Sequence, residues 1–281
     1  MKRILFLGVA LFLFLQSVAI SGDGIPSKRP FTFAELWNNL AYYDTNIERR
    51  GFASLLGRFE GKIGINLFDS PFQVYGAYYG TSSQSSDYWD NAIYSGVGAR
   101  FKPFEGYQGW IRDVKIFAES LSSSFLKDAA SGEANRRTDN RYGLDLWHEW
   151  NLDNPDKSIP WGELWANLSF RSTNFSWTDF NDYILYFQPK IGRHLGRGIE
   201  PYLKADLTMS NKADYWLNVV DYGAGIRFEP WRETADNDSL LKKFKMFAEA
   251  LSVSYLKDKP TDPNKTVSSD VRFGIDFSYG R

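Results

Sequence analysis

The chain has 281 residues, with 33 basic against 34 acidic side chains, a net charge of −1 and no cysteine. So even a balance leaves no basic footprint for a nucleic-acid partner, and the missing thiols exclude disulfide frameworks, lipid-modified cysteine anchors and thiolate metal sites. The mean hydropathy of −0.40 beside an aromatic content of 17% fits either a water-soluble protein or strands whose apolar and polar residues alternate too finely for an average to register.

At the N-terminus, Lys2 and Arg3 precede the apolar run ILFLGVALFLFL and the small-residue stretch from Ala19 to Gly22. This pattern reads as a secretory signal peptide over residues 1–22, cleaved near Ser21. The run is short for a membrane helix, which needs about 20 apolar residues. The remainder, 23–281, reads as one domain, and export without disulfides suits the bacterial envelope.

From Glu35 onward the chain follows one plan twice, over 35–150 and 163–281. ELWNNL at Glu35 returns as ELWANL at Glu163, and GKIGINL at Gly61 as PKIGRHL at Pro189. YWDNAIYSGVGARFKPF at Tyr88 returns as YWLNVVDYGAGIRFEPW at Tyr215, IFAESLSSSFLKD at Ile116 as MFAEALSVSYLKD at Met246, and RYGLDL at Arg141 as RFGIDF at Arg272. A single long duplication of strand-like segments fits one closed sheet made of two halves rather than a solenoid.

Each half yields six strands, beginning near Glu35, Leu56, Phe72, Asn91, Lys115 and Asn140, then near Glu163, Tyr183, Ile199, Leu217, Lys245 and Ser269. The expected fold class is therefore all-β: a transmembrane antiparallel β-barrel of about twelve strands. An even count places both termini on the periplasmic side, with Phe68 to Pro71 and Leu195 to Gly198 as short turns there. Gly80 to Asp87, Leu126 to Asn140 and Leu256 to Asp270 then form outward connections.

Phase is clearest in the last strand, where Val271, Phe273, Ile275, Phe277 and Tyr279 alternate with Arg272, Gly274, Asp276 and Ser278. Tyr142, Leu144 and Leu146 alternate likewise with Arg141, Gly143 and Asp145, and Tyr222, Ala224, Ile226 and Phe228 with Asp221, Gly223, Gly225 and Arg227. A soluble β-sandwich or barrel would show the same alternation with the apolar face inward. Full charges in mid-strand favour a wet lumen and an apolar face toward lipid, hence the outer membrane. The lumen candidates are Arg100, Arg141, Asp145, Asp221, Arg227, Arg272 and Asp276, either as a pore lining or as internal ion pairs bracing a narrow barrel. Glu119 and Glu249 share parity with Phe247, Leu251 and Val253, so a bulge is expected there to turn them inward. Trp147, Trp150, Trp161, Trp165, Trp216 and Trp231 fall at apparent strand ends, where indoles form an interfacial girdle.

Enzymatic chemistry finds little support. His148 falls on the apolar face or its edge, and His194 in the turn GRHLGRG reads as a solvated residue. Neither sits beside a nucleophile motif, no metal-ligand spacing occurs, and no cofactor is implied.

IEPYLKADLTMS, DYGAGIRFEPW, FKMFAEALSVSYL and VRFGIDFSYG together resemble the C-terminal barrel domain of the bacteriophage N-four adsorption protein. They are more distantly similar to the barrel ends of exopolysaccharide-export porins. The resemblance covers most of Glu35 to Arg281 and implies an outer-membrane barrel serving as a phage receptor component or polysaccharide exit, with a glycan or phage as partner. Those relatives carry a periplasmic helical-repeat region before the barrel, so the resemblance implies that a separate periplasmic repeat protein supplies it here. Three classes stay open: a channel or export pore in contact with outer-membrane lipid, a non-conducting receptor barrel, and a barrel enzyme.

Overall fold

The structure, a computed structural model, describes residues 32–45, 54–67, 70–84, 88–152, 154, 156–175, 181–212, 217–232, 240–257 and 268–280. The signal-peptide segment, Phe68, Trp216 and most of the connection from Leu256 to Asp270 lie outside the described residues.

Twelve antiparallel strands form a closed barrel. They are β1 (Thr32–Thr45), β2 (Ser54–Asn66), β3 (Phe72–Ser83), β4 (Ala92–Phe101), β5 (Val114–Phe125), β6 (Thr138–Trp150), β7 (Trp161–Thr173), β8 (Asn181–Gly192), β9 (Ile199–Ser210), β10 (Val219–Phe228), β11 (Phe244–Tyr255) and β12 (Ser269–Tyr279). Each starts within three residues of its expected position. Every strand pairs with its sequence neighbours, and β1 closes on β12 from Leu36↔Tyr279 to Thr45↔Asp270. Closure leaves no strand edge, so main-chain donors and acceptors pair along the ladders without water, with one interruption between β8 and β9 at Gln188 and Pro189.

Polarity is inverted relative to a soluble barrel. Val97, Leu203 and Phe273 on the outer face are 64%, 61% and 54% exposed, whereas the inward Arg100, Arg227 and Arg272 are 4%, 4% and 7% exposed. An apolar band this broad would drive association in water, and it is the surface that hydrocarbon solvates. The soluble arrangement is thereby overturned, and the chain is a barrel of the bacterial outer-membrane kind.

Two expectations are corrected. No bulge turns Glu119 or Glu249 inward: β4 and β5 pair continuously from Ala92↔Phe125 to Phe101↔Ile116, and β10 and β11 from Val219↔Tyr255 to Phe228↔Met246. Instead the apolar neighbours share the lumen face. Leu121 and Leu251 are buried inside beside the glutamates, while Met246, one position out of phase, is exposed on the outside. The lumen is thus part apolar core, with Tyr75, Ala77 and Leu121 packed together and Phe33, Tyr79 and Tyr94 against them.

The tryptophans do not form one girdle either. Trp161 is fully buried in the interior, and Trp147 and Trp165 line the luminal cavity. Parity places these three inward, and a large ring fills space that charged side chains leave open. Exposed aromatics in the connections include Tyr107 and Trp110 before β5, at 64% and 57%, and Trp89 before β4, at 44%.

Glycines make this interior fit. A Cβ on Gly98 would lie 2.6 Å from the ring of Tyr75, its cross-strand neighbour, and one on Gly225 would lie 2.5 Å from the ring of Tyr202. Each tyrosine therefore lies flat over a glycine and points its hydroxyl along the lumen. Gly98→Val is expected to displace Tyr75 and lower the thermal unfolding midpoint in detergent. On the outer face, Leu203→Arg is expected to cost about 2–4 kcal/mol, read from urea titration of refolding into lipid vesicles, whereas Leu203→Phe leaves stability unchanged.

Candidate functional site

The barrel encloses a cavity of about 530 Å³ lined by side chains from all twelve strands. All nine residues singled out from sequence, Arg100, Glu119, Arg141, Asp145, Asp221, Arg227, Glu249, Arg272 and Asp276, contribute to its lining. Most are drawn into ion pairs whose partners the sequence did not reveal.

Toward the end that carries both termini, two arginines reach across the interior. Arg100 on β4 grips Glu35 on β1 with two hydrogen bonds, 2.8 and 2.6 Å long, and also donates to Gln73, which in turn donates to Asn66. Arg227 on β10 makes the corresponding contact with Glu163 on β7, and its Nε donates to Glu200 on β9 at 2.7 Å. Each arginine lies over an aromatic face, Arg100 at 4.5 Å from the Phe33 centroid and Arg227 at 4.1 Å from that of Trp161. Bidentate geometry and ring stacking suit guanidinium and not ammonium.

The second of these clusters is the larger. Lys190 and Lys245 approach Glu163 to 3.6 and 3.3 Å, and Arg232 bonds Glu200, Glu229 and the Leu152 carbonyl. His194 belongs here too, which corrects its reading as a solvated turn residue: it is 6% exposed, stacked on Trp161 and 2.5 Å from Glu200 through Nδ1. Its Nε2 faces Arg232 at 3.1 Å. A guanidinium has only donors, so Nε2 accepts and Nδ1–H donates to the carboxylate.

At mid-height two glutamates are held by tyrosines. Glu119 accepts from Tyr75 at 2.9 Å and Tyr79 at 2.6 Å, with Lys62 3.7 Å away. Glu249 accepts from Tyr202 at 2.7 Å and from Lys204 at 3.0 and 3.1 Å. Asp145 accepts from the Trp165 indole and from Asn167, whereas Oδ1 of Asp276 is buried with no hydrogen bond.

Toward the opposite end, Arg141 pairs with Asp139 at 2.7 Å, and Arg272 gathers Asp221 at 2.6 Å, Asp270 at 2.7 Å and Asp206 at 3.0 Å. Phe175, in the connection after β7, is buried against the inward rings of Tyr94 and Phe125 and narrows that mouth. His148 lies on the outer face, 2.8 Å from Asp113 and stacked on Trp150. Among the described residues no hydroxyl is hydrogen-bonded to it, and none of them form a cluster suited to a metal ion.

No family model and no curated protein matches the chain. Solved structures similar to it include the KdgM porin in complex with disordered oligogalacturonate, at 10% identity over 87% of this chain and 99% of that chain, with a TM-score of 0.38. The NanC porin is similar at 8% identity over 86% and 98%, with a TM-score of 0.42. The beta domain of the Bordetella autotransporter BrkA is similar at 11% identity over 89% and 100%, with a TM-score of 0.39.

Arg227→Gln is expected to leave Glu163 with Lys190 and Lys245 and Glu200 with Arg232 and His194, whereas Arg100→Gln leaves Glu35 without an ion-pair partner among the described residues. Breaking a buried pair costs on the order of 3–5 kcal/mol because it leaves a charge uncompensated, so the Arg100 variant is expected to lose more of it, the remaining cations around Glu163 and Glu200 offsetting the loss of Arg227. Urea midpoints in detergent micelles decide the order; equal losses would contradict this account of the two clusters.

Proposed function

We propose that the protein is a narrow outer-membrane channel for small hydrophilic solutes. One observation carries the reading: a charged cavity of about 530 Å³ runs among inward side chains of a sheet that is sealed on itself and apolar outside. Water and ions are stable among fixed guanidinium, ammonium and carboxylate groups, and lipid is stable against the outer face, which supports reading the cavity as part of a hydrated path. On this reading the termini face the periplasm, and the pairs Arg100–Glu35 and Arg227–Glu163 narrow the periplasmic half.

A second reading has its own support, because the same buried ion pairs brace the interior as a filled barrel would. That reading is a non-conducting receptor or docking barrel, with the connections at the far mouth as the contact surface. The polysaccharide-exit role implied by the sequence resemblance requires more: a periplasmic partner to deliver the glycan, and a wider passage than the braced interior offers.

Single-channel recording of the purified protein in planar bilayers separates the readings. Small, stable conductance steps are expected, rising at least about twofold when Arg100→Ala and Arg227→Ala are combined and the cross-lumen pairs are lost. A silent wild-type barrel that stays silent in the double variant would eliminate the channel and leave the docking role.

A further inference from the structure

Four luminal arginines, Arg100, Arg141, Arg227 and Arg272, are each neutralised by a carboxylate within 3.0 Å. Arg58 on β2 and Arg171 on β7 are not: both line the cavity, and among the described residues neither has an ion pair or a side-chain hydrogen bond. Their contacts are with aromatic faces. Arg58 lies 6.0 Å from the ring centroid of Tyr43, and Arg171 lies 5.6 Å from that of Tyr186. Nε of Arg171 is buried with no hydrogen-bond partner.

The two pairs stand at corresponding places in the sequence repeats, with their members exchanged. Counting from Glu35 and Glu163, Tyr43 corresponds to Arg171; counting from Gly61 and Pro189, Arg58 corresponds to Tyr186. Each repeat thus sets one guanidinium against one phenol ring, although the strand supplying each differs. Bracing the wall does not explain this: Arg171 carries a desolvation cost at its buried, unpartnered Nε, and Arg58, exposed to solvent, holds no acid. An incoming anion would remove that cost.

We propose that Arg58 and Arg171 form two anion subsites of the lumen, which select anions and bind organic carboxylates borne on a ring. The proposal deepens the channel reading and rests on it. A guanidinium presents a planar fork to a carboxylate. Beside Arg171, Trp165 stacks on Tyr186 at 5.7 Å with an interplanar angle of 12°, which is a flat apolar platform for the face of a ring. The cavity surface has the matching sign. Eleven basic and seven acidic side chains line it, because Glu35, Glu163 and Glu200 lie behind the cations they neutralise.

The test uses the full mature chain in planar bilayers under a potassium chloride gradient, with D-glucuronate and uncharged D-glucose as probes. The wild type is expected to pass chloride in preference to potassium and to be partly blocked by glucuronate but not by glucose. Arg58→Gln combined with Arg171→Gln is expected to reduce the chloride preference on the order of threefold and to abolish the block. The paired lysine variant is expected to retain the preference and lose most of the block, since ammonium keeps the charge without the fork. Neither arginine holds an acid in place, so folding is expected to survive, and a detergent melting curve verifies it.

Calorimetric titration of the detergent-solubilised protein with glucuronate supplies a readout independent of conduction. Binding without conductance would end the channel reading and leave the anion subsites standing. Conductance without anion preference, glucose binding as well as glucuronate, or a double glutamine variant indistinguishable from the wild type would overturn the subsites and leave the channel.

Discussion

Every other feature of this protein depends on β1 pairing with β12. Within hydrocarbon no water is available to a main-chain amide or carbonyl, and an unpaired one costs several kcal/mol; the register from Leu36↔Tyr279 to Thr45↔Asp270 leaves the sheet without an edge. Once the sheet is closed, strand alternation has only two destinations, lipid and lumen. The aliphatic and aromatic residues of one parity meet hydrocarbon, and everything of the other parity has to be accommodated inside.

That interior is too narrow to leave its charges to bulk water and too highly charged to be an oily core. The solution is mutual neutralisation among side chains far apart in sequence. Arg100 reaches Glu35 and Arg227 reaches Glu163 from three strands away, while Arg272 draws together Asp206, Asp221 and Asp270. Tyrosine hydroxyls complete the shells of Glu119 and Glu249. Burial of ion pairs adds little net stability but makes the removal of one member costly, so the lumen is defined more by what it cannot lose than by what it gains. Against this neutralised background, Arg58 and Arg171 stand out as guanidinium groups that face rings and no carboxylate among the described residues.

The sequence was legible where one face was uniformly apolar. VRFGIDFSY and VVDYGAGIRF could be phased at sight, and the strands built from them lie as the alternation demands, with Phe273 and Ile226 outside and Arg272 and Arg227 inside. FAEALSVSY was misread because its inward face mixes Phe247, Glu249 and Leu251 while its outward face carries alanines; parity was sound, but polarity named the wrong cause for it. The tryptophans misled for a related reason: Trp161 and Trp165 have the parity of the lumen, and an indole over an arginine or a tyrosine ring is as well placed as one at a headgroup. His194 looked solvated in its short turn because nothing local announces Glu200, Arg232 and Trp161 around it.

By itself the sequence determined a strand count of about twelve, strand starts to within three residues, and the parity that sets charged residues such as Arg100, Arg227 and Arg272 on one face of their strands. These properties are local: period-two alternation and turn residues specify them within a dozen positions. Which face met lipid, which charges were neutralised and by whom, and which two arginines kept an open face were decided only by the closed sheet. Opposition across a lumen depends on how the strands stagger around the ring, and a linear pattern of polar and apolar residues contains the members of each pair without their distance.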